Sequence, residues 1–250
     1  MQKLKGKTAV VTGSSKGIGA EIALQFAAAG AAVIVNYSSS AEGADRVVQT
    51  IVEQGGRAVA VGADVSDAEQ RRNLFLQAEA ILGHVDILVN NAGVFRYFPL
   101  EEITETSLQW MFGLNVFGLL LTTRDAIALM PPSGGSVINI SSLASTSSPM
   151  HGTVYSATKA AVDSITRSLA KELGPRKIRV NAIRPGAIET EGTVSGGLIS
   201  GERLRTFLET TPLGRIGWPT DIAPAATFLA SDEASWISGE TLLIAGGRGI

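Results

Sequence analysis

Short apolar runs alternate along the chain with longer segments whose apolar residues recur at helical spacing. In the segment Tyr155–Leu173, for example, Val162, Ile165 and Leu169 fall on one helix face. The predicted strands are Thr8–Val11, Ala32–Asn36, Ala58–Val61, Ile87–Asn90, Ser136–Ile140, Arg179–Ile183 and Thr241–Ile244. The predicted helices are Ile18–Ala29, Ala41–Gln54, Ala68–Leu82, Leu108–Leu129, Tyr155–Leu173 and Asp221–Ala230.

This alternation predicts an α/β fold, a doubly wound parallel sheet of seven strands with helices on both faces. The loops that follow the strands then gather along one edge of the sheet, where ligands bind. We expect a single domain over residues 1–250, because the sequence shows neither a linker nor a repeat. The segment Ala187–Thr211 breaks the pattern with four glycines and few apolar anchors. A surface loop would explain it, but we favour a substrate lid at about residues 187–212.

The composition and charge of the chain argue against nucleic-acid binding, metal binding and membrane association. The 250 residues are 45% hydrophobic and 18% charged, which is typical of a globular protein. A net charge of −2 without a basic run gives no electrostatic basis for binding nucleic acid. The chain has no cysteine and only two distant histidines, His84 and His151, so a metal site is not expected. Without an apolar run of transmembrane length or a signal-like N-terminus, we expect a cytoplasmic protein with no membrane partner.

A glycine-rich stretch, TGSSKGIG at residues 12–19, connects the first predicted strand to the first predicted helix. Gly13 permits a tight turn at the strand exit. Gly17 and Gly19 let the helix begin close to the strand and to a pyrophosphate, whose charge a helix N-terminus favours. Glycine could serve backbone geometry alone here, but the position of the stretch favours phosphate binding.

The end of the second strand indicates which dinucleotide is bound. Folds that bind NAD usually present an acidic side chain there to the ribose hydroxyls. Here the strand ends with Asn36, Tyr37 and Ser38, and no carboxylate follows until Glu42. A carboxylate would repel a 2′-phosphate, whereas neutral donors accept one, and Lys16 adds a positive charge nearby. The sequence therefore predicts NADP(H) rather than NAD.

Across essentially its whole length the chain resembles the short-chain dehydrogenase/reductase family in its compact single-domain form. The motifs that carry the resemblance are TGSSKGIG, Asp64-Val65, NNAG at 90–93, Asn115, Ser142, YSATK at 155–159 and RPGAIET at 184–190. The nearest resemblance is to 3-oxoacyl-carrier-protein reductases, with glucose dehydrogenases and polyketide-naphthol reductases close to them. One departure is Ala245, where the family often has an aspartate before a glycine pair.

The resemblance implies cofactor contacts along the whole ligand-binding edge. It places the phosphates at Gly13, Ser15, Lys16, Gly17, Ile18 and Gly19, and the 2′-phosphate at Asn36, Tyr37 and Ser38. Asp64 would bind the adenine amino group with Val65 beside the ring, although Asp64 could also cap the next helix. The adenosine ribose would pass Asn90, Ala92 and Gly93, while Asn91 would bridge neighbouring strands. Pro185, Gly186, Ile188 and Thr190 would meet the nicotinamide end, together with Tyr155 and Lys159.

The candidate catalytic residues are Asn115, Ser142, Tyr155 and Lys159. Reduction of a carbonyl leaves negative charge on oxygen, so the site must supply donors and a proton. Tyr155 is the predicted acid, and Lys159 one helical turn later is expected to lower its pKa from about 10. Ser142 is preferred over Ser141 as the donor to the substrate oxygen. Asn115 is either a satisfied core amide or, as the resemblance implies, part of a water-mediated proton relay to Lys159.

These predictions together describe an NADP(H)-dependent oxidoreductase acting on a small-molecule or acyl-thioester carbonyl, or on the matching secondary alcohol. A glucose-type sugar dehydrogenase and a non-catalytic NADP(H)-binding redox sensor remain as alternatives. The substrate pocket is expected from Phe95–Phe98, Leu143–His151 and the lid. An acyl-carrier-protein substrate would require a basic patch, for which Arg124, Arg167 and Arg176 are candidates. The resemblance also implies a homotetramer with Leu108–Leu129 and Tyr155–Leu173 at the interface.

Overall fold

The structure, a computed structural model, describes residues 2–249. In this part of the chain seven parallel strands form one sheet in the order β3-β2-β1-β4-β5-β6-β7, which confirms the predicted doubly wound architecture. The strands are β1 (Thr8–Val11), β2 (Ala32–Tyr37), β3 (Arg57–Gly62), β4 (Ile87–Asn90), β5 (Gly135–Ile140), β6 (Ile178–Pro185) and β7 (Thr241–Ile244).

Each of the six predicted helices is present, with shifted ends in most cases. The helices are α1 (Gly17–Ala28), α2 (Ala41–Glu53), α3 (Ala68–Leu82), α4 (Glu105–Phe112), α5 (Leu119–Ala128), α6 (Ala144–Ser147), α7 (Thr153–Leu173), α8 (Glu191–Ser195), α9 (Gly201–Thr210) and α10 (Pro219–Ala230). A π-helical turn at Gly113–Gly118 joins α4 to α5, so the predicted helix Leu108–Leu129 is three segments. The sequence pattern did not predict α6, α8 or α9.

Helices cover both faces of the sheet and bury two apolar cores. On one face Ile22 and Phe26 of α1 pack with Ile222 of α10 against the central strands. On the other face Leu74 of α3 and Ala126 of α5 pack against Val10, Leu88 and Val137 of the sheet. Burial of each large apolar side chain contributes roughly 1.5–3 kcal/mol, so the central strands are held from both sides.

The two edge strands follow a different burial pattern from the centre. All four residues of β1 and of β4 are buried, as expected for strands covered on both faces. Along β3, buried or half-buried positions mostly alternate with exposed ones, and β7 has no buried residue. These outer strands have a neighbour on one side only, so parts of their side chains remain in contact with solvent.

A chain of buried amides and hydroxyls, here called the amide chain, crosses the second core. Asn90 of β4 donates from Nδ2 to Oγ1 of Thr123 at 2.8 Å and to Oδ1 of Asn139 at 2.9 Å. Asn139 of β5 in turn donates from Nδ2 to Oγ1 of Thr166 at 2.9 Å. All four residues are buried. The amide chain therefore links α5, β4, β5 and α7 through hydrogen bonds inside an apolar region.

The segment at 187–212 contains two short helices, α8 and α9, instead of a simple loop. Thr190 begins α8, because its hydroxyl accepts a hydrogen bond from the Thr193 amide at 3.2 Å. None of the ten residues of α9 is buried, so this helix rests on the body of the protein through few apolar contacts. Within residues 2–249 we find no helix with the length and apolar character needed to cross a bilayer.

Candidate active site

One large cleft of about 940 Å³ runs along the edge of the sheet where the strands end. Loops after β1 to β6, the segments carrying α8 and α9, and the C-terminal residues all line it. The sequence-predicted residues that line the cleft are Gly13, Ser15, Lys16, Gly17, Ile18, Asn36, Ser38, Asp64, Val65, Ala92, Gly93, Ser142, Tyr155, Lys159, Pro185, Gly186, Ile188 and Thr190. Gly19, Tyr37, Asn90 and Asn115 lie outside that lining.

The glycine loop between β1 and α1 has the backbone geometry that its sequence predicts. Gly13 and Gly17 have φ angles of 60° and 58°, which L side chains rarely adopt. A Cβ at Gly13 would lie 2.9 Å from the Ala92 Cα, so the loop after β4 approaches this backbone closely. At Gly19 a Cβ would lie 2.7 Å from the Gly13 carbonyl oxygen. Gly19 therefore lets α1 pack against the strand and does not itself line the cleft.

At the end of β2, the side chains of Asn36 and Tyr37 contact groups within the protein. Asn36 is 1% exposed and donates from Nδ2 to the carbonyl oxygens of Val61 and Ala63 at 3.1 and 3.0 Å. Both of its side-chain amide hydrogens are therefore bound to carbonyl oxygens of β3 and of the loop that follows β3. The Tyr37 ring lies over Gly62, where a Cβ would be 3.1 Å from the phenolic oxygen. The hydroxyls left at this end of the cleft belong to Ser38, Ser39 and Ser40.

The two asparagines after β4 have different roles from each other. Asn91 donates from Nδ2 to the carbonyl oxygens of Thr12 and Gly13, both at 2.9 Å, which confirms that it bridges β4 to β1. The Asn90 side chain points into the core as part of the amide chain, so its predicted contact with the cofactor ribose stays a prediction for the backbone alone. Side chains alternate between the faces of a strand, and Asn90 is still within β4.

Asp64 lies at the cleft and does not cap α3. Its carboxylate accepts hydrogen bonds from the amide and the hydroxyl of Ser66 at 2.9 and 2.7 Å. Asp67 caps α3 instead, since it accepts from the Gln70 amide at 2.8 Å. The alternative interpretation of Asp64 as a helix cap is therefore wrong.

Three of the predicted catalytic side chains meet in the middle of the cleft. Tyr155 and Lys159 lie one turn apart on α7, and the Lys159 ammonium is 5.8 Å from the Tyr155 ring centroid. Lys159 also donates to the carbonyl oxygen of Ile140, the last residue of β5, at 2.8 Å. Ser142 lines the same cleft, and its side chain acts to lower the pKa of Tyr155 through hydrogen bonding. The Ser141 hydroxyl donates to the Lys159 carbonyl oxygen at 3.2 Å and is therefore engaged with the α7 backbone. Ser142 is then the serine available to Tyr155.

Burial dominates the electrostatics of this pair. It raises the pKa of Tyr155 to about 12, and hydrogen bonding from Ser142 opposes the rise only in part. Burial also lowers the pKa of Lys159 to about 8, with the negative charge of Asp163 acting in the opposite direction. The expectation that Lys159 lowers the pKa of Tyr155 is therefore wrong for the protein groups alone. Both side chains lose hydration, which disfavours the charged form of each.

Asn115 lies in the π-helical turn and its side chain is satisfied by protein groups. Its Oδ1 accepts from the Val94 amide at 2.8 Å, and its Nδ2 donates to the Val94 carbonyl oxygen at 2.8 Å. Nδ2 also donates to Oγ1 of Thr158, next to Lys159, at 3.1 Å. The interpretation as a satisfied core amide is the one that these contacts support. Asn115 thereby fixes the loop after β4 against α7.

The half of the cleft beyond Tyr155 has apolar walls with cationic residues at its margin. The rings of Phe95 and Tyr97 have centroids 6.1 and 6.2 Å from that of Tyr155. Of the predicted pocket segments, Phe95, Tyr97, Leu143, Met150 and His151 line the cleft, whereas Phe98 does not. Sequence reasoning missed Trp110, Leu114 and Arg248, which α4, the π-helical turn and the C-terminal segment supply, whereas Phe207 comes from the predicted lid segment. Arg124, Arg167 and Arg176 lie outside the cleft.

The sheet order, the glycine loop and the ligand cleft define a Rossmann-type α/β protein. The sequence profile of the family described as enoyl-(acyl carrier protein) reductase matches residues 13–248. The chain is 50% identical over 247 residues to an uncharacterised oxidoreductase of Methylorubrum extorquens, covering 99% of both chains. This protein belongs to the short-chain dehydrogenase/reductase family and is an oxidoreductase of that family.

Two solved structures of similar chains contain a bound nicotinamide dinucleotide. A 7α-hydroxysteroid dehydrogenase in complex with NADH and 7-oxo glycochenodeoxycholic acid is 39% identical, has a TM-score of 0.95, and overlaps over 99% of this chain and 96% of that one. A short-chain dehydrogenase from Burkholderia cenocepacia in complex with NADP is 35% identical, has a TM-score of 0.92, and overlaps over 98% of each chain. Similar chains thus bind one or the other nicotinamide dinucleotide.

Proposed function

We propose that this protein is an NADP(H)-dependent oxidoreductase that transfers hydride between nicotinamide and a carbonyl or secondary alcohol carbon. The observation that carries the proposal is that Ser142, Tyr155 and Lys159 line one cleft together, with the Lys159 ammonium 5.8 Å from the Tyr155 ring centroid, and that the glycine loop lines the same cleft. A redox sensor would need the glycine loop but not this group of three side chains.

The residues of the phosphate end fit a dinucleotide. The start of α1 has no side-chain cap, so its first backbone N–H groups are available to an anion. Gly13 and Gly17 line the cleft and place no side chain of their own over this backbone. Asp64 and Val65 would hold the adenine, and Pro185, Gly186 and Ile188 would hold the nicotinamide. When bound, the nicotinamide ring supplies or accepts the hydride.

The charges at the end of β2 favour NADP(H) over NAD(H). Ser38, Ser39 and Ser40 line the cleft there, and Lys16 also lines it. Within residues 2–249 the carboxylates that line the cleft are Asp64, Glu191 and Glu202. None of them belongs to the loop directly after β2. Hydroxyls and an ammonium group can bind a 2′-phosphate, whereas the acidic residue typical of NAD-binding folds would repel it.

The three central side chains would divide the chemistry as follows. Ser142 and Tyr155 would both donate hydrogen bonds to the substrate oxygen, which stabilises the negative charge that develops on it. Tyr155 would then transfer its proton to that oxygen, and the reverse reaction would return the proton to Tyr155. The raised pKa of Tyr155 keeps the hydroxyl protonated at neutral pH, as a proton donor requires. Lys159 would contact the ribose hydroxyls and favour the phenolate once the proton has left.

Asn115 and the 187–212 segment have supporting roles in this proposal. Asn115 would position Thr158 and the neighbouring turn of α7, so its effect on turnover would pass through Lys159. The segment with α8 and α9 would act as the substrate lid, because Thr190, Leu198 and Phe207 line the cleft from it. We also propose a homotetramer, since Trp110, Phe117 and Leu120 on α4, the π-helical turn and α5 expose apolar surface.

A turnover assay with NADPH tests the proposal. Purified protein is incubated with NADPH and a panel of ketones, quinones and β-ketoacyl thioesters, and in the reverse direction with NADP⁺ and sugars. We expect the native protein to reduce a ketone, quinone or thioester. The variant Tyr155→Phe should lose this activity and still bind NADPH. Oxidation of glucose alone would favour a sugar dehydrogenase, and tight NADPH binding without turnover of any compound would favour a sensor.

A further inference from the structure

Two arginines from distant parts of the chain converge on the substrate half of the cleft. Arg203 comes from α9 and Arg248 from the C-terminal segment, and both line the cleft. The Arg203 guanidinium carbon lies 5.6 Å from the Tyr97 ring centroid. The Arg248 guanidinium carbon lies 4.7 Å from the Phe207 ring centroid. Stacking on an aromatic face holds each guanidinium in place and leaves its N–H edge free to bind a ligand.

Among the described residues, no carboxylate forms an ion pair with Arg203 or Arg248. Elsewhere in the protein Arg71, Arg184 and Arg215 each pair with an aspartate at 3.0 Å or less. Within residues 2–249 neither Arg203 nor Arg248 has a carboxylate oxygen within 4.0 Å.

Two carboxylates nevertheless line the same cleft. Glu202 precedes Arg203 on α9, and Glu191 lies near Gly17 at the phosphate end. The substrate half therefore carries two guanidinium groups against one carboxylate. Both arginines also oppose the rise in the pKa of Tyr97 that burial causes, so their fields overlap at that ring.

Tyr97 connects the two arginines to the reacting centre. Its ring centroid is 6.2 Å from that of Tyr155 on one side and 5.6 Å from the Arg203 guanidinium carbon on the other. Phe95 and Leu143 form apolar wall along the same half of the cleft. A substrate whose carbonyl oxygen meets Tyr155 would therefore pass along aromatic and aliphatic surface before its far end reaches the guanidinium groups.

We propose that the substrate is a carbonyl compound with an aromatic or other apolar body and a carboxylate at its far end, which Arg203 and Arg248 bind. This inference rests on the proposed function, because it places the carbonyl at Tyr155. Guanidinium groups suit a carboxylate because their parallel N–H donors match its two oxygens. The pair thus acts as a specificity-determining site for the charged end of the substrate.

Matched pairs of substrates test the inference. The probes are para-acetylbenzoate, para-acetylphenylacetate and 3-(para-acetylphenyl)propionate, in which the aromatic ring separates the ketone from a carboxylate that lies progressively further away, and the methyl ester of each. For at least one pair we expect the acid to have a kcat/KM on the order of tenfold or more above its ester, as a charge-assisted contact provides. Equal kcat/KM values within every pair would overturn the inference, while turnover itself would still support the proposed function.

Variants assign the effect to the two residues. Arg203→Gln and Arg248→Gln should each lower kcat/KM for the preferred acid on the order of tenfold and leave its ester unchanged. Arg205→Gln on the same helix is the matched control, because Arg205 is exposed and lies outside the cleft. Equal losses for acid and ester, or a raised KM for NADPH with both, would assign the arginines to folding or to the cofactor and overturn the inference.

A binding measurement keeps the inference testable if no probe is reduced. Absence of turnover would contradict the proposed function, whereas affinity for the carboxylate can still be measured on the protein loaded with NADP⁺. Titration with each acid and its ester, followed by tryptophan fluorescence, uses Trp110 in the cleft as a reporter. Tighter binding of an acid that is lost in both arginine variants would support the site. Equal affinities for acid and ester would overturn it.

Discussion

Asp163 and Arg184 form a partly buried ion pair in which the Arg184 Nε lies 2.9 Å from the Asp163 Oδ2, one helical turn beyond Lys159. The negative charge of Asp163 opposes the fall that burial imposes on the pKa of Lys159. Tyr155, Lys159 and Asp163 recur every four residues along one face of α7, so the ion pair can act on the reacting centre through Lys159. Asp163 is thus a positioning residue for the charge of that lysine.

Replacing Asp163 with asparagine should shift the pH dependence of activity. Without the aspartate the pKa of Lys159 falls below about 8, and activity that requires the charged lysine is lost at lower pH than in the native protein. The pH profile of kcat/KM measures this shift. An unchanged upper pH limit in Asp163→Asn would contradict the assignment.

The same variant should also lose stability, by less than the ~3–5 kcal/mol of a fully buried pair, because Arg184 becomes an unpaired charge with only partial access to solvent. The double variant Asp163→Asn with Arg184→Gln should recover much of that stability in urea unfolding while keeping the shifted pH profile. Glu233→Gln, which breaks the exposed pair with Lys3, is the matched control and should cost less than about 1 kcal/mol.

Lys159 should make the protein more stable as pH rises between about 8 and 10. Its pKa is about 8 in the folded protein and 10.5 unperturbed, so the unfolded chain binds more protons in that interval. The free energy of unfolding therefore increases with pH there. In Lys159→Met this increase should disappear, which urea titrations across the interval can measure. Tyr155 has the opposite effect, because its pKa is raised from 10.0 to about 12 in the folded protein. Its contribution to the free energy of unfolding is lost as pH rises between those two values, which is above the interval over which the Lys159 effect is measured.

Ser142→Ala should lower kcat on the order of 100-fold, because it removes one donor to the substrate oxygen. Ser141→Ala is the comparison, since that hydroxyl contacts the α7 backbone instead of facing Tyr155. It should cost well under tenfold. Steady-state kinetics of both variants decide the point, and equal losses would show that the two serines have been assigned wrongly.

Ser38→Asp should shift cofactor preference from NADPH toward NADH. The new carboxylate would face a 2′-phosphate, and such an approach of like charges costs several kcal/mol, at least tenfold in kcat/KM for NADPH. Ser38→Asn keeps a neutral donor and serves as control. The ratio of kcat/KM for the two cofactors is the measurement, and an unchanged ratio in Ser38→Asp would place the phosphate elsewhere.

Gly19→Ala should destabilise the protein, whereas Gly174→Ala should not. A Cβ at Gly19 meets the Asn91 amide and lies 2.7 Å from the Gly13 carbonyl oxygen, and such overpacking costs about 1–3 kcal/mol. A Cβ at Gly174 has no neighbour within 4 Å in the described residues, and its φ of −51° is helical. Thermal unfolding compares them, and affinity for NADPH should fall in Gly19→Ala only.

The sequence predicts what strand periodicity and local motifs control. Because glycine loops and strand ends recur at fixed positions in a parallel sheet, Gly13, Ser142 and Tyr155 could be placed at the cleft from sequence alone. The hydrogen-bond partners of the Asn36 and Asn90 side chains could not be predicted, because the direction of a polar side chain near the end of a strand depends on tertiary contacts. Several amide and hydroxyl partners of these two residues are far away in the chain.

Long-range convergence and burial explain the other differences. Arg248 and Phe207 meet only after the C-terminal segment folds against α9, and no local pattern signals that contact. The raised pKa of Tyr155 likewise depends on how completely the surrounding elements exclude water. Spacing along α7 predicts that Tyr155 and Lys159 are neighbours, but it cannot predict which of desolvation and charge attraction is larger.

The amide chain through Asn90 and Asn139 has a consequence for how the strands align during folding. A slip of β5 by one residue against β4 would turn the Asn139 side chain to the opposite face of the sheet. The Nδ2 group of Asn90 would then lose the Asn139 acceptor, and the Nδ2 group of Asn139 would lose the Thr166 acceptor, inside an apolar layer. Each buried donor left unsatisfied costs about 1–3 kcal/mol. Apolar contacts in the centre of the sheet would tolerate such a shift more readily. Four polar side chains thus penalise misaligned pairings that hydrophobic packing alone would distinguish poorly.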